Sequence, residues 1–191
     1  MQTLADELKE LLKNQTSIEI IPRFLERFLL GNLTRDEDDK SHFCAYFAAY
    51  DPEEKEVFIG HHKKSGLWLF NGGHIDKDEN LKQSVIREIG EEWGLDGNDF
   101  QIGSPALFTI TEIDNPKKQT CKLHYDLWYF IEADKNKFKP EKSKLMEEFH
   151  EAGWKKLDEA HNLIKDKNTL LAIEFVKDNY FSTEKTQRDV G

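Results

Sequence analysis

Glu88, Glu91 and Glu92 stand at i, i+3 and i+4 within the run GHIDKDENLKQSVIREIGEEWGL, which extends from Gly73 to Leu95. On a helix turning 100° per residue, the three carboxylates fall within an arc of about 100° on one face. Such like charges repel by roughly 0.2–0.5 kcal/mol per pair. They also occupy the last turns of the helix, where the macrodipole disfavours anions. Local stability does not select that arrangement. A bound divalent cation does, because oxygen-rich anionic sites suit a hard ion such as Mg²⁺. The competing explanation is a solvated acidic face, in a chain with 37 Asp and Glu among 191 residues. The surroundings decide against it: Gly72 and Gly73 precede the cluster, Arg87 lies inside it and Gly94 follows it. A generic surface helix has no need of those residues.

The run fits the pattern G-x5-E-x7-R-E-U-x-E-E-x-G-U, with U a bulky aliphatic, at every defined place. The fixed residues are Gly73, Glu79, Arg87, Glu88, Glu91, Glu92 and Gly94, with Ile89 and Leu95 in the aliphatic positions. At ordinary residue frequencies this is roughly a one-in-ten-million accident. On this match the chain resembles the Nudix hydrolases, which cleave a nucleoside diphosphate linked to another group. The resemblance implies an α/β/α sandwich with a mixed sheet, and Mg²⁺ as cofactor with Mn²⁺ as a substitute. It also implies a small-molecule nucleotide diphosphate derivative as substrate: a nucleotide sugar, ADP-ribose or a modified nucleoside triphosphate. Glu88, Glu91 and Glu92 would hold the metal with the backbone carbonyl of Gly72. Arg87 would orient the glutamates, and Glu79 would be its salt-bridge partner. The general base would be Glu88 or a carboxylate from another loop; Glu147, Glu148 and Glu151 are the candidates, and Glu148 is the first choice. His61, His62, Lys63 and Lys64, followed by Trp68, are similar to a Nudix subgroup with HHKK-x-G-x-W-L before the Gly-Gly-His turn, a subgroup without a defined substrate. The family commonly has proline where this chain has Asn71, which puts the rigidity of that loop in question.

Other residues have two readings. His74 is placed to touch a substrate phosphate, or is a loop histidine with no such role. Trp68, Phe70, Trp128 and Tyr129 could stack on a base or pack in the core. His124, Tyr125 and Asp126 alternate on a strand, so two of the three share one face and could line a pocket.

The elements that must position these residues follow from periodicity. Asn80 and Gln83 have capping-box spacing and Gly94 suits a left-handed helix end, so a helix of roughly four turns is predicted from about Asn80 to Trp93. Val85, Ile86, Ile89 and Trp93 make its buried arc. Leu4, Leu8, Leu11 and Leu12, then Ile21, Phe24, Leu25, Phe28 and Leu29, recur at helical spacing. They form a helical extension ahead of the core, the second helix ending at Gly31. Residues 34–40 read as an exposed acidic linker, so that residues 1–40 precede a catalytic domain over 41–181 and a polar tail over 182–191. Strands are predicted at about 42–50, 56–62, 121–132 and 152–156, with two short strand-like runs around Pro105 and a hairpin-type turn at Asn115-Pro116. Residues 63–66 form a loop, 67–70 a short run into a Gly72-Gly73 turn, and 158–161 and 169–179 are helical.

The net charge of -10 argues against a broad phosphate-binding surface and hence against nucleic acid as a bulk partner or an RNA-decapping role. It does not exclude a nucleotide, whose charge metal ions offset. Cys44 and Cys121 lie in apolar runs and read as buried free thiols. No stretch approaches 18 apolar residues and the N-terminus is not a leader, so a cytoplasmic, membrane-free setting is expected; a homodimer is compatible with the chain. Two other functions share the fold. A Nudix-like ligand-binding regulator usually has a broken box and a DNA-binding domain, and an isopentenyl-diphosphate isomerase-like enzyme departs from the box and needs a cysteine in a polar loop. Neither pattern is present.

Overall fold

The apolar run HFCAYFAAY forms the central strand, β1 (Ser41–Asp51). It is continuously apolar because both faces of the sheet are covered there. The computed structural model describes residues 2–15, 18–113 and 120–181. β1 runs parallel to β6 (Leu123–Glu132), in register from Ser41 opposite Leu123 to Tyr50 opposite Glu132. Its other edge is shared: β2 (Glu56–His62) pairs antiparallel with Tyr50 and Asp51, and β4 (Asn71–His74) pairs antiparallel with Cys44 to Phe47. β3 (Trp68–Leu69) and β7 (Phe149–Lys156) pair with β2, and β5 (Leu107–Glu112) pairs with β6. Among the described residues, the result is a mixed seven-stranded sheet with β3-β2-β1-β6-β5 as its main path.

Strand alternation divides the core in two. Phe43, Ala45, Phe47 and Ala49 of β1, with Tyr125, Leu127, Tyr129 and Ile131 of β6, face α1 (Leu4–Lys13), α2 (Ile21–Leu29) and α3 (Leu81–Glu88). Ala48, Tyr50 and Trp128 face α5 (Leu157–Leu163) and α6 (Lys167–Val176) through Ala160, Ala172, Ile173 and Val176. The architecture is an α/β/α sandwich.

The N-terminal helices are built into this core. Leu8, Leu12 and Phe24 are fully buried, and the Phe24 ring meets Phe43, Phe108 and Tyr125 edge-on at 6.0, 5.5 and 5.2 Å. Most of segment 34–40 is exposed, as expected of a linker, but it is anchored to the core. Thr34 is buried, and the buried Arg27 guanidinium donates to the carbonyls of Gly31 (2.7 Å) and Asn32 (2.7 Å) and bridges to Asp38 (3.4 Å). The acids there cap backbone N–H groups as well as carry charge: Asp38 accepts from Lys40 and Ser41, and Glu37 from Thr34.

Three more local differences follow from pairing that short-range pattern does not reveal. Gly72 and Gly73 lie in a strand, because the backbone of β1 recruits them into a ladder. Residues 100–105 are irregular, so one strand and not two occupies 100–113. α4 (Lys142–Glu148) was not expected, since only Leu145 of its seven residues is buried and it shows no apolar stripe. The Asn115-Pro116 turn and the polar tail lie outside the described residues.

Candidate active site

The acidic helix begins with the reciprocal cap its sequence encodes. Asn80 Oδ1 accepts from Gln83 N and Gln83 Oε1 from Asn80 N, each at 2.9 Å. Glu7 of α1 adds its carboxylate to the same end, accepting from Leu81 N at 2.8 Å, where the helix dipole favours an anion. Leu81, Ser84, Val85, Ile89 and Trp93 are buried. Ile86, expected in that arc, is only half-buried, while Ser84 sits inside and satisfies its hydroxyl by donating to Leu81 O at 2.8 Å.

The helix does not stay α to its end. Ile89–Trp93 form a π turn, closed by Gly94 at φ 66°. Turns of this kind recur at functional sites because they re-aim side chains. Here the widened turn keeps Trp93 in the core against Phe47 (4.9 Å) and Phe138 (4.8 Å). Glu91 is left exposed, and Glu92 is turned back toward β4.

The three carboxylates therefore have different surroundings. Glu88 is buried, and a Cβ at Gly73 would overlap its carboxylate, so glycine is what lets the two approach. Gly72, at φ 133°, is in a conformation that side-chain-bearing residues avoid, and a Cβ there would strike the β1 backbone. Glu92 accepts from the Asn71 side-chain amide and lies 3.4 Å from Gly72 N. Burial raises the Glu88 carboxyl to about 7 despite Arg87, and burial raises Glu92 to about 8 despite its bond from Asn71.

Arg87 ties loop, strand and helix together. Its Nε and Nη2 reach Glu79 at 2.8 and 3.1 Å, its Nη1 reaches Glu88 at 2.9 Å and Glu91 at 3.0 Å, and its Nη2 donates to His74 O at 2.8 Å. Burial disfavours the guanidinium charge, but the hydrogen bonds it donates to Glu79 and the charge of Glu88 outweigh it and hold the group protonated. An arginine fork is suited to this because it offers five donors in fixed directions.

A cleft of about 1290 Å³ opens over this cluster. Glu148, at the junction of α4 and β7, lines it, forms an ion pair with Lys64 (3.0 Å) and lies 3.4 Å from His62 Nε2. Burial pushes the Glu148 carboxyl up, yet Lys64 and His62 together bring it below the usual range. Glu147 also lines the cleft, whereas Glu151 is exposed on β7 and does not. His74 and Phe70 are in the lining; Trp68 is not, and stacks on His61 at 5.5 Å with Lys155 over its ring. Trp128 lines the cleft and stacks on Tyr46 at 5.0 Å, while Tyr129 points into the opposite core. His124 reaches the cleft, and Tyr125 and Asp126 are buried. Cys44 and Cys121 are buried free thiols.

Sequence reasoning missed some of these positions. Asn71 stands out only as a departure from proline, yet its amide holds Glu92. Tyr46, Asp166, Asn168 and Thr169 come to the cleft from distant elements, and no spacing announces them.

A fit to a hard cation follows from the donors themselves. The cluster offers only oxygen, and two of its carboxyls are held well above the ordinary range in one cleft, which a bound cation would reverse. The NUDIX domain model matches residues 36–175. The chain belongs to the Nudix family. Among solved structures, the E. coli dihydroneopterin triphosphate pyrophosphohydrolase superposes with a TM-score of 0.58 at 17% identity, covering 70% of this chain and 92% of that one. A C. elegans Ap4A hydrolase complex gives 0.58 at 17% identity, covering 71% and 95%. At such identities the likeness shows the fold alone. A CTP pyrophosphohydrolase of Escherichia coli (strain K12) is 42% identical over 33 residues, which is 17% of this chain and 24% of that enzyme, so the match spans only about a quarter of its length. Among the described residues, no helix of this Nudix protein is long and apolar enough to cross a membrane.

Proposed function

We propose that the protein is a Mg²⁺-dependent pyrophosphohydrolase that cleaves the phosphoanhydride bond of a nucleoside diphosphate carrying another group. The observation that carries this reading is the convergence of Glu88, Glu91, Glu92 and Glu148 on one cleft, fixed by Arg87 and opened by Gly73. Glu88, Glu91, Glu92 and the Gly72 carbonyl would hold Mg²⁺, or Mn²⁺ in its place. When bound, the ion offsets phosphate charge and makes a water at the site more acidic.

The protein's own groups do the rest. Arg87 keeps Glu88 and Glu91 aligned, and Glu79 keeps Arg87 in place. Asn71 orients Glu92. Glu148 is ionised in the resting protein and faces the cleft, so it is suited to accept a proton from an attacking water, with Lys64 and His62 holding it in position. Lys63, Lys64 and Lys144 also line the cleft, Lys64 paired with Glu148 and Lys144 with Glu147, and add positive charge on the side where phosphates would bind. The aromatic end formed by Tyr46, Phe70 and Trp128 offers an apolar wall for a base, with Asn168 and Asp166 beside it as polar partners. At about 1290 Å³ the cleft exceeds the usual range of about 300–1,000 Å³ for ligand pockets, so it has room for a whole nucleotide derivative.

A panel of nucleotide sugars, ADP-ribose, dinucleoside polyphosphates and nucleoside triphosphates, incubated with Mg²⁺ and read by phosphate release after phosphatase coupling, tests this. Turnover of at least one member that stops in EDTA is expected. Phosphate release that EDTA does not affect would refute the proposal.

A further inference from the structure

Beside the acidic cleft, the sheet register brings a second set of ligand-type side chains together. His42 and Cys44 are two apart on β1 and so share a face. His124 of β6 is directly opposite His42, and His74 of β4 is directly opposite Cys44. One ligand atom from each of these four residues lies within 4.8 Å of every other. The rings pack at centroid distances of 4.8 Å (His42 and His74), 4.9 Å (His42 and His124) and 5.0 Å (His74 and His124). Cys121 adds a second sulfur, with Sγ 3.6 Å from His74 Nε2 and 3.8 Å from His42 Nε2.

Ordinary core packing does not account for this cluster. Both ring nitrogens of His124 are buried without a hydrogen-bond partner, whereas buried polar atoms in native proteins are nearly always satisfied. His42 Nδ1 is 2.8 Å from the carbonyl oxygen of Asp38, which can only accept. Nδ1 therefore carries the proton and Nε2 presents its lone pair to the cluster, the arrangement of a metal-ligating histidine fixed by an outer carbonyl.

We propose that His42, His74, His124 and Cys44 bind a borderline-soft divalent transition ion, Zn²⁺ first among them, at a site separate from the glutamates. Nitrogen and thiolate donors in this combination suit Zn²⁺, whereas Mg²⁺ takes oxygen. Bonds of about 2.0–2.3 Å in a tetrahedron set ligand atoms roughly 3.3–3.8 Å apart, so uptake needs only a small contraction of the present cluster. His74 and His124 line the cleft, which provides the entry path. Binding forms one bond to each imidazole and one to sulfur, and the Cys44 proton passes to solvent. The ion would anchor His74, whose carbonyl accepts from Arg87 and which directly follows Gly72-Gly73. A bound ion there would fix the loop that lacks the family's proline.

The test uses the untagged full chain in thiol reductant with millimolar Mg²⁺, titrated with Zn²⁺ against a chromophoric chelator, and separately with Co²⁺. One Zn²⁺ per chain is expected, together with a sulfur-to-cobalt charge-transfer band. Cys44→Ser should abolish that band, and His124→Gln should weaken Zn²⁺ binding at least about tenfold. The Glu88→Gln/Glu92→Gln double variant should retain both signals. Absence of the charge-transfer band in folded wild-type protein would overturn the proposal whether or not the variants fold. So would Zn²⁺ binding that the glutamate variant loses and the Cys44 and His124 variants keep.

Discussion

Glu88 lies against Gly73 with Arg87 2.9 Å away, whereas Glu92 is held from the strand side by Asn71. Burial holds their carboxyls at about 7 and about 8. A cation that needs both ionised must displace protons below those values, so Mg²⁺ affinity should rise with pH up to about 8 and then level off. Calorimetric titration at a series of pH values checks this, and a flat profile would count against it. Glu79→Gln should reduce kcat less than loss of a glutamate of the cluster, because Glu79 acts through Arg87. Asp126 makes a different pH prediction. It accepts from Thr109 at 3.0 Å and from Thr111, and burial raises it from 3.8 to about 8 despite those bonds. A raised folded pKa means its stabilising contribution is fully present below 3.8 and is lost as pH rises to about 8. Asp126→Asn should therefore gain on wild type with rising pH in EDTA, by at most about 1.4 kcal/mol per pH unit, and the gap should stop widening above about 8. Urea denaturation at pH 5, 7 and 9 would show a constant gap if the carboxyl were not neutral.

At the level of the element, the acidic helix was legible where its signals are local. Asn80, Gln83 and Gly94 mark its ends, and the spacing of Glu88, Glu91 and Glu92 marks the acidic cluster it carries. Its π turn was not, because that turn depends on Trp93 seating between Phe47 and Phe138 from other elements. For the same reason the glycines read as a turn and proved to be a strand: β1 and β4 are distant in the sequence until the ladder forms. Repulsion within the cluster is also smaller than spacing alone suggests, since Arg87 bridges Glu88 and Glu91. The remaining electrostatic cost falls on the buried pair, Glu88 and Glu92. Mg²⁺ at a hundredfold excess over Kd should add about 2.7 kcal/mol of stability, seen as a rise of a few degrees in Tm. The Glu88→Gln/Glu92→Gln variant should lose most of that rise. Equal rises in both proteins would place the bound ion elsewhere.

Across the whole molecule, the N-terminal helices do more than precede the catalytic layers. α1 and α2 bury Leu8, Leu12 and Phe24 against the sheet, and Glu7 caps the helix that carries the glutamates. Periodicity revealed the apolar stripes of these helices but not what they cover, because the covering surface is assembled from β1, β5 and β6. Phe24→Ala should cost about 3–5 kcal/mol in urea denaturation, as a core aromatic does, whereas a peripheral extension would give a change within about 0.5 kcal/mol. The cleft was legible in its acidic half, which one contiguous run encodes. Its aromatic and amide half was not, since Tyr46, Trp128 and Asn168 meet only through the fold. The central claim is that the glutamate cluster performs metal-dependent phosphoanhydride hydrolysis. Its most direct test is the turnover of Glu92→Gln on the best substrate of the panel at saturating Mg²⁺, with folding checked by circular dichroism. A folded variant with kcat lowered at least about a hundredfold is predicted, because the change removes a metal-holding charge. A folded variant that turns over at the wild-type rate would contradict the account.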